Sequence, residues 1–315
     1  MISVQNFFLK DNLLSIKSLD LDTIMNIIDL AQNFKVSKPD KKIKKRNEDI
    51  LVASLFFQAS TRTRLSFESA ANRLGAKIIG FADGESSRSG SSWNEKFTDT
   101  AQMINAYADI AVMRHAEVEP VHNYCIKSRL PVINAGNGEG LNAEHPTQAL
   151  LDIFTIHQSF PLHKSLTLLL CCHPSSRSTR SLLFCIALFH NIKLLLCTEE
   201  NCKLFQEDEA YLRQAGVTYE YLHNIKEGLC SADVIYMAGY KETADHLPNS
   251  NFMLTPDLLS YLHPRAIIMH PLPRGYELPY ELDNSVHCAY FSQAENGVFV
   301  RMAILQGYFN VIGGR

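Results

Sequence analysis

Short, mostly apolar runs recur along this chain, several cut off by a turn rich in hydroxyl residues. Examples are ILVASLFF at 50–57, AKIIGF at 76–81, DIAVM at 109–113, PVINAG at 131–136, SLTLLLCC at 165–172, IKLLLC at 192–197, VTYEYL at 217–222, ADVIYM at 232–237 and AIIMH at 266–270. Runs of this length, with helical patterns between them, make parallel strands buried on both faces. The expected class is therefore α/β. At 315 residues the chain exceeds one ordinary core, so two doubly wound parallel-sheet domains are expected. The first spans 1–144 and the second 145–292, joined by a long helix at about 145–158. A C-terminal helix, 296–311 within the segment 293–315, packs back on the first domain.

Local signals fix further helices. Leu21, Ile24, Ile27, Ile28 and Ala31 share one face of a helix over 19–35, with Ser18 as its cap. A helix from Thr61 to Leu74 closes on Gly75, where a left-handed cap is favoured. Another lies near 95–107. The basic run KKIKKRN at 41–47 reads as a solvated loop.

Composition excludes several functions. Hydrophobic residues make up 46%, charged residues 20%, and the formal net charge is −3. That balance argues against a nucleic-acid or membrane-surface binder. MISVQNFFLKDNLL lacks the pattern of a secretory leader. The most apolar region, 181–197, is broken by His190, Asn191 and Lys193 and is too short to span a bilayer. Eight cysteines lie mostly in apolar runs, the habit of reduced thiols in the cytosol. Cys197 and Cys202 lack the second pair a zinc site needs, so no metal is expected. No G-x-G-x-x-G follows the strands at 50–57 or 166–172, so no dinucleotide cofactor is expected either.

Five stretches carry chemistry. In SLFFQASTRTRLSFESAANRLG, Ser60, Thr61, Arg62, Thr63 and Arg64 crowd a strand-to-helix turn. Unpaired amides and the positive dipole end of a helix N-terminus, joined by hydroxyls and guanidiniums, suit a phosphate dianion. A simple N-cap accounts for one hydroxyl residue, not for two arginines. Arg114 follows DIAVM at a strand's carboxyl end, where a binding arginine projects; pairing with Glu117 or Glu119 is the plainer alternative. In EHPTQALLDIFTI, His145 and Gln148 flank Pro146 at a helix mouth, a plain helix start or an imidazole and amide aimed at one small ligand. CCHPSSRSTRSLLF, with Arg177 and Arg180, is a second hydroxyl-rich turn, either another anion site or a cap with solvent-facing arginines. In IIMHPLPRGYE, Pro271 and Pro273 withhold N–H groups around Leu272 and leave carbonyl oxygens to accept from an amide NH₂; a rigid loop fits the same residues.

In this order the stretches resemble the aspartate/ornithine carbamoyltransferase family. FFQASTRTRLSFESAANRLGA, VMRH, NAGNG, HPTQALLDIFTI, HPLPR and FSQAENGVFVRMAIL carry the likeness over nearly the whole chain. HPLPR is similar to the aspartate branch, since the ornithine branch has cysteine where Pro271 stands. The resemblance implies that 1–144 binds carbamoyl phosphate and 145–292 an amino-acid acceptor, aspartate. Ser60, Thr61, Arg62 and Thr63 would hold the phosphate. Arg114, Thr63 and His145 would donate to the carbamoyl oxygen, making Arg62, Thr63, Arg114 and His145 the catalytic set. Gln148 and the carbonyls of Pro271, Leu272 and Pro273 would orient the carbamoyl NH₂. Neither a metal nor a cofactor is implied. A homotrimer with shared sites is implied, and a regulatory chain is a further possible partner.

The acceptor half departs from the family pattern. Trp93 stands where the family has a lysine reaching a neighbouring subunit, Gly239 where it has an arginine for the acceptor's carboxylate, and Gln58 where it has a glutamate. Arg177 matches the family arginine that contacts aspartate; Lys241 and Lys96 are the candidate replacements. Three accounts stay open: an aspartate enzyme with compensating residues, a carbamoyltransferase for another amine, and a weakly active or inactive chain that binds carbamoyl phosphate and serves assembly or regulation.

Overall fold

The computed structural model describes residues 11–89, 95–238 and 249–313. They fall into two compact units, Met1–Leu151 with Glu295–Arg315, and Asp152–Ala294.

The first unit is built on a four-stranded sheet of β1 (Leu51–Phe56), β2 (Lys77–Phe81), β3 (Ile110–His115) and β4 (Val132–Asn137), ordered β2-β1-β3-β4. Every pairing is parallel, so all four carboxyl ends lie along one edge, where open α/β sheets bind ligands. Around it run α1 (Leu21–Val36), α2 (Lys41–Asn47), α3 (Thr61–Leu74), α4 (Phe97–Tyr107), α5 (Glu119–Cys125) and the start of α6 (Pro146–Ser159). In α3 the buried residues Thr63, Ser66, Phe67, Ala70, Ala71 and Leu74 trace one helical stripe. Its C-cap, Gly75, has φ of 94° and donates to the carbonyls of Ala71 and Asn72. A Cβ there would lie 2.4 Å from the Lys44 carbonyl oxygen, so only glycine fits.

The second unit carries a five-stranded parallel sheet, ordered β7-β6-β5-β8-β9. Its strands are β5 (Leu166–Cys172), β6 (Ile192–Cys197), β7 (Tyr219–Leu222), β8 (Val234–Ala238) and β9 (Ile267–Met269), with α7 (Arg177–Ile186), α8 (Gln206–Gln214) and α9 (Lys226–Leu229) between them. The two parallel-sheet domains read from the sequence are the observed architecture. A last helix, α10 (Tyr290–Ile312), returns to the first unit. There Asn296 accepts from Lys35 Nζ at 2.8 Å, Gln306 accepts from Asn47 Nδ2 at 3.1 Å, and the Arg301 guanidinium lies over the Phe67 ring, 5.1 Å from its centroid. Residues 300–310 are buried on every side, which is why this helix shows no single apolar face.

Several local expectations are corrected. Asp20, not Ser18, caps α1, accepting from Thr23 N at 2.8 Å. The run 41–47 is a helix rather than a loop: Asp40 caps it, accepting from Ile43 N at 2.8 Å, and Asn47 plugs into the core with a bond to the Leu74 carbonyl at 3.0 Å. The final helix starts at Tyr290, ahead of Asn296. After β8 the described residues form short 3₁₀ turns at Ser250–Phe252 and Pro256–Tyr261 in place of an α-helix. Among the described residues no helix is long and apolar enough to cross a membrane.

Arg180 faces inward, into the core of the second unit. Its guanidinium makes a two-pronged pair with Asp208, at 2.6 and 2.7 Å, with side chains only 2% and 0% exposed. The rings of Phe184 and Phe205 cover it. Removing one member of such a pair strands the other's charge in the interior. Asp208→Ala is therefore expected to cost about 3–5 kcal/mol of stability, read as a lower urea midpoint.

Candidate active site

The order of the first sheet builds the site. β1, β3 and β4 are neighbours, and their carboxyl ends release the 57–60 turn, Arg114 and the NAGNG loop side by side. Phe56 of β1 stands opposite Arg114 of β3, and the Phe57 amide donates to the Arg114 carbonyl at 2.9 Å. The chain then turns into α3. Ser60 is its N-cap residue, extended at φ −159°, and its hydroxyl makes no capping bond. The first intrahelical bond runs from Arg64 N to Ser60 O at 3.2 Å, so the amides of Thr61, Arg62 and Thr63 precede the helical ladder and point past its end. Thr61 and Arg62 are exposed and Thr63 is buried. Arg62 is exposed as a residue, yet protein atoms around its guanidinium desolvate it enough to lower its pKa; an arginine keeps its charge regardless.

Arg64 does not join this group. Its Nε donates to Glu68 Oε1 at 2.7 Å, one turn along the helix, and Ser54 Oγ donates to the same oxygen at 3.2 Å. The second arginine of the motif is thus a helix-surface pair.

Arg114 is held against β4, with Nη1 donating to the Ala135 carbonyl at 3.2 Å. Gly136, next in that strand, has φ of 107°. A Cβ there would sit 2.8 Å from Arg114 Nη1 and 3.0 Å from His145 Cδ2. The guanidinium and the imidazole therefore rest against the same glycine. Two asparagines brace it. Asn134 Oδ1 accepts from Gly136 N at 2.9 Å, while Asn137 Oδ1 accepts from Asn134 Nδ2 at 2.9 Å and from Glu144 N at 3.0 Å. The Glu144 carboxylate reaches the other way, to Ser15 Oγ and to Ile16 N at 3.0 Å. His145 is thereby fixed from both sides immediately before α6.

His145 and Gln148 are both buried. The His145 carbonyl accepts from Gln148 N at 2.9 Å, opening α6, and its Nδ1 lies 3.5 Å from Thr147 Oγ1. Beside Arg114, His115 packs edge-on to Phe97 and tilted against Phe57. Burial lowers its pKa against the pull of Glu117, so it adds no charge at neutral pH. Among the described residues no group of three or more His, Cys, Asp or Glu is arranged to hold a metal.

The remaining expected residues lie apart in the chain. Lys96 is exposed at the N-cap position of α4. Arg177 opens α7 behind Ser176, whose hydroxyl accepts from Thr179 N at 3.3 Å. Pro271, Leu272 and Pro273 follow β9, with Leu272 at φ 56°. Trp93, Gly239 and Lys241 lie outside the described residues. Gly136, Asn134, Asn137 and Glu144 were not singled out from the sequence; the signal was a strand ending in two glycines flanked by amides.

Two family models cover the chain. The aspartate/ornithine carbamoyltransferase carbamoyl-P binding domain matches residues 11–158, and the Asp/Orn binding domain of the same family matches 164–307. The chain belongs to the aspartate/ornithine carbamoyltransferase family. It is 34% identical to the chloroplastic aspartate carbamoyltransferase of Arabidopsis thaliana over 298 residues, 92% of this chain and 75% of that protein. To the aspartate carbamoyltransferase catalytic subunit of Phocaeicola vulgatus it is also 34% identical, with 93% of each chain covered. Among solved structures, aspartate transcarbamoylase of Trypanosoma cruzi, in complex with carbamoyl aspartate and phosphate, superposes with a TM-score of 0.85 at 28% identity, over 97% of each chain.

If Gly136 is the joint between Arg114 and His145, Gly136→Ala should lower turnover by about 10²-fold through displacement of both groups. Steady-state kinetics on a variant with unchanged circular dichroism checks this; unchanged turnover would refute the joint.

Proposed function

We propose that this chain transfers the carbamoyl group of carbamoyl phosphate to the amino group of L-aspartate, giving N-carbamoyl-L-aspartate and phosphate, a reaction of de novo pyrimidine synthesis. The observation that carries the reading is the convergence of Arg114 and His145 on Gly136, at the sheet edge where the α3 N-terminus also opens. A dianion site and an oxyanion site on one edge are what a carbamoyl phosphate needs. The product complex of the Trypanosoma cruzi enzyme supports the same assignment.

In this reading Ser60, Thr61, Arg62 and Thr63 bind the phosphate through hydroxyls, first-turn amides and one guanidinium. Arg114, Thr63 and His145 donate to the carbamoyl oxygen. Gln148 and the carbonyls of 271–273 take the NH₂. The neutral amine of aspartate attacks the carbamoyl carbon, and negative charge gathers on the carbonyl oxygen facing the three donors. The carbon–oxygen bond to phosphate then breaks, and the proton lost by the amine leaves with the phosphate. Positioning and oxyanion stabilisation supply the acceleration.

Residues 1–144 with 293–315 form the carbamoyl-phosphate domain and 145–292 the acceptor domain. Arg177, with Lys241 and Lys96 as replacements for missing family cations, holds the aspartate carboxylates. Trp93, Gly239 and Gln58 favour a second reading, transfer to a different amine, since a lysine does not reproduce an arginine's two-pronged carboxylate contact. The working assembly is a homotrimer with shared sites, open to a regulatory chain. Leu65 of α3 and Met103 and Tyr107 of α4, each about half exposed, offer apolar surface for such an interface. Eight free thiols support a reducing, cytosolic setting.

Three measurements test the reading. His145→Ala should keep its fold and lose about 10²–10³ in turnover, the usual effect of removing one aimed oxyanion donor. With carbamoyl phosphate and a panel of amines, aspartate should give the most product and released phosphate. Product only with another amine would select the second reading; no turnover with any amine would overturn both. Sedimentation of the active species should report three chains, and a fully active monomer would contradict the shared site.

A further inference from the structure

Pro271 and Pro273 carry no amide hydrogen, and the single N–H between them is directed inward. Leu272 N donates to Nδ1 of His270 at 2.8 Å. On the far side of the ring, Nε2 lies 2.8 Å from Glu277 Oε1, which also accepts from Gly275 N at 2.8 Å. The His270 side chain is only 1% exposed. An imidazole accepting at Nδ1 carries its one proton on Nε2; these partners assign that neutral tautomer. A second hydrogen on Nδ1 would face the Leu272 N–H donor to donor. Burial would raise the Glu277 pKa, but the bonds from His270 and Gly275 outweigh it and hold the carboxyl below its ordinary range, so it stays an acceptor.

The backbone of His270 is pinned as well. Its N–H donates to Gln293 Oε1 at 2.8 Å, Gln293 Nε2 donates to Asp152 Oδ1 at 2.7 Å, and Tyr236 donates its hydroxyl to Asp152 Oδ2 at 2.7 Å. Leu272 itself sits at φ 56°, a left-handed conformation that a leucine keeps only when its surroundings enforce it. The bond to His270 Nδ1 is the enforcing contact on its own amide.

We infer that His270 is the positioning residue that makes the 271–273 segment an all-acceptor surface and so selects an NH₂ group on the phosphoryl substrate; this rests on the reading above that the segment receives the carbamoyl nitrogen. With two prolines and one N–H tied back, nothing in 271–273 donates. Such a segment welcomes an amide nitrogen and offers nothing to a methyl group in the same place.

The test uses the full chain, with carbamoyl phosphate and aspartate as substrates and inorganic phosphate and acetyl phosphate as competitors. Acetyl phosphate carries a methyl group where the carbamoyl NH₂ stands. His270→Ala should raise KM for carbamoyl phosphate about tenfold, the loss of one well-placed hydrogen bond, with both competitors' inhibition constants changed less than about twofold. His270→Asn, whose side-chain oxygen replaces the Nδ1 acceptor, should return KM to within about threefold of the unsubstituted chain. An unchanged KM in His270→Ala would overturn the inference. So would a matching rise in the phosphate inhibition constant, which marks general damage, or an asparagine variant no better than alanine. If the unsubstituted chain consumes no carbamoyl phosphate with any amine, it is the functional reading that fails; an active chain indifferent to residue 270 sinks only the role of His270.

Discussion

Arg114 and His145 meet because residue 136 has no side chain. The guanidinium comes from the end of β3, the imidazole from the loop beyond β4, and the space they share is the one a Cβ on Gly136 would fill. The strand order and a set of buried bonds around β4 hold that meeting in place. The parallel order β2-β1-β3-β4 puts the three relevant strand ends next to one another. The amides of Asn134 and Asn137 stop the glycine segment from relaxing, and Glu144 ties the residue before His145 to Ser15 and Ile16. Donors so placed need not reorganise as charge develops, which is where preorganised electrostatics gain their effect.

The two units treat backbone polarity in opposite ways. At the start of α3, amides ahead of the helical ladder face outward, and the field there is positive. At 271–273, prolines and the His270 bond remove every donor, and the field is that of carbonyl oxygens. Buried networks such as Asp152–Gln293–His270–Glu277 are worthwhile in this setting because each member finds its partner; a half-satisfied network would cost more than an apolar core.

How much of this was legible in the sequence follows from the range of each interaction. Strands and helices came from periodicity and length, and the α3 boundaries from its turn chemistry and Gly75. Ser60, Thr63, Arg114, His145 and Gln148 stand out in the sequence because hydroxyls, guanidiniums and imidazoles at strand ends have few other reasons to be there. What escaped depended on distant partners. Arg64 looked like a phosphate ligand until Glu68 and Ser54 claimed its neighbourhood. Arg180 read as an anion ligand or a solvent-facing residue until Asp208, on a different helix, drew it into the core. The basic run 41–47 hid a helix because its cap, Asp40, and its one buried side chain, Asn47, act through contacts to α3 and α10 rather than through an apolar stripe. Gly136 was visible only as a letter in NAGNG; its meaning requires knowing which side chains would collide there.

The unequal departure of the two halves from the family pattern has a physical basis in how each half grips. The groups proposed for the carbamoyl-phosphate half are first-turn amides, strand-end residues and a glycine joint, so that half would be inseparable from the sheet order that folds the unit. Changing it means changing the scaffold. The acceptor half, by the family pattern, depends on the tips of long cationic side chains, and those can be exchanged without disturbing a strand or a helix. Trp93 and Gly239 are substitutions of that second kind. A chain can therefore alter which amine it receives, or how tightly, while its hold on the activated carbonyl stays intact, and the two halves need not have been shaped by the same constraint.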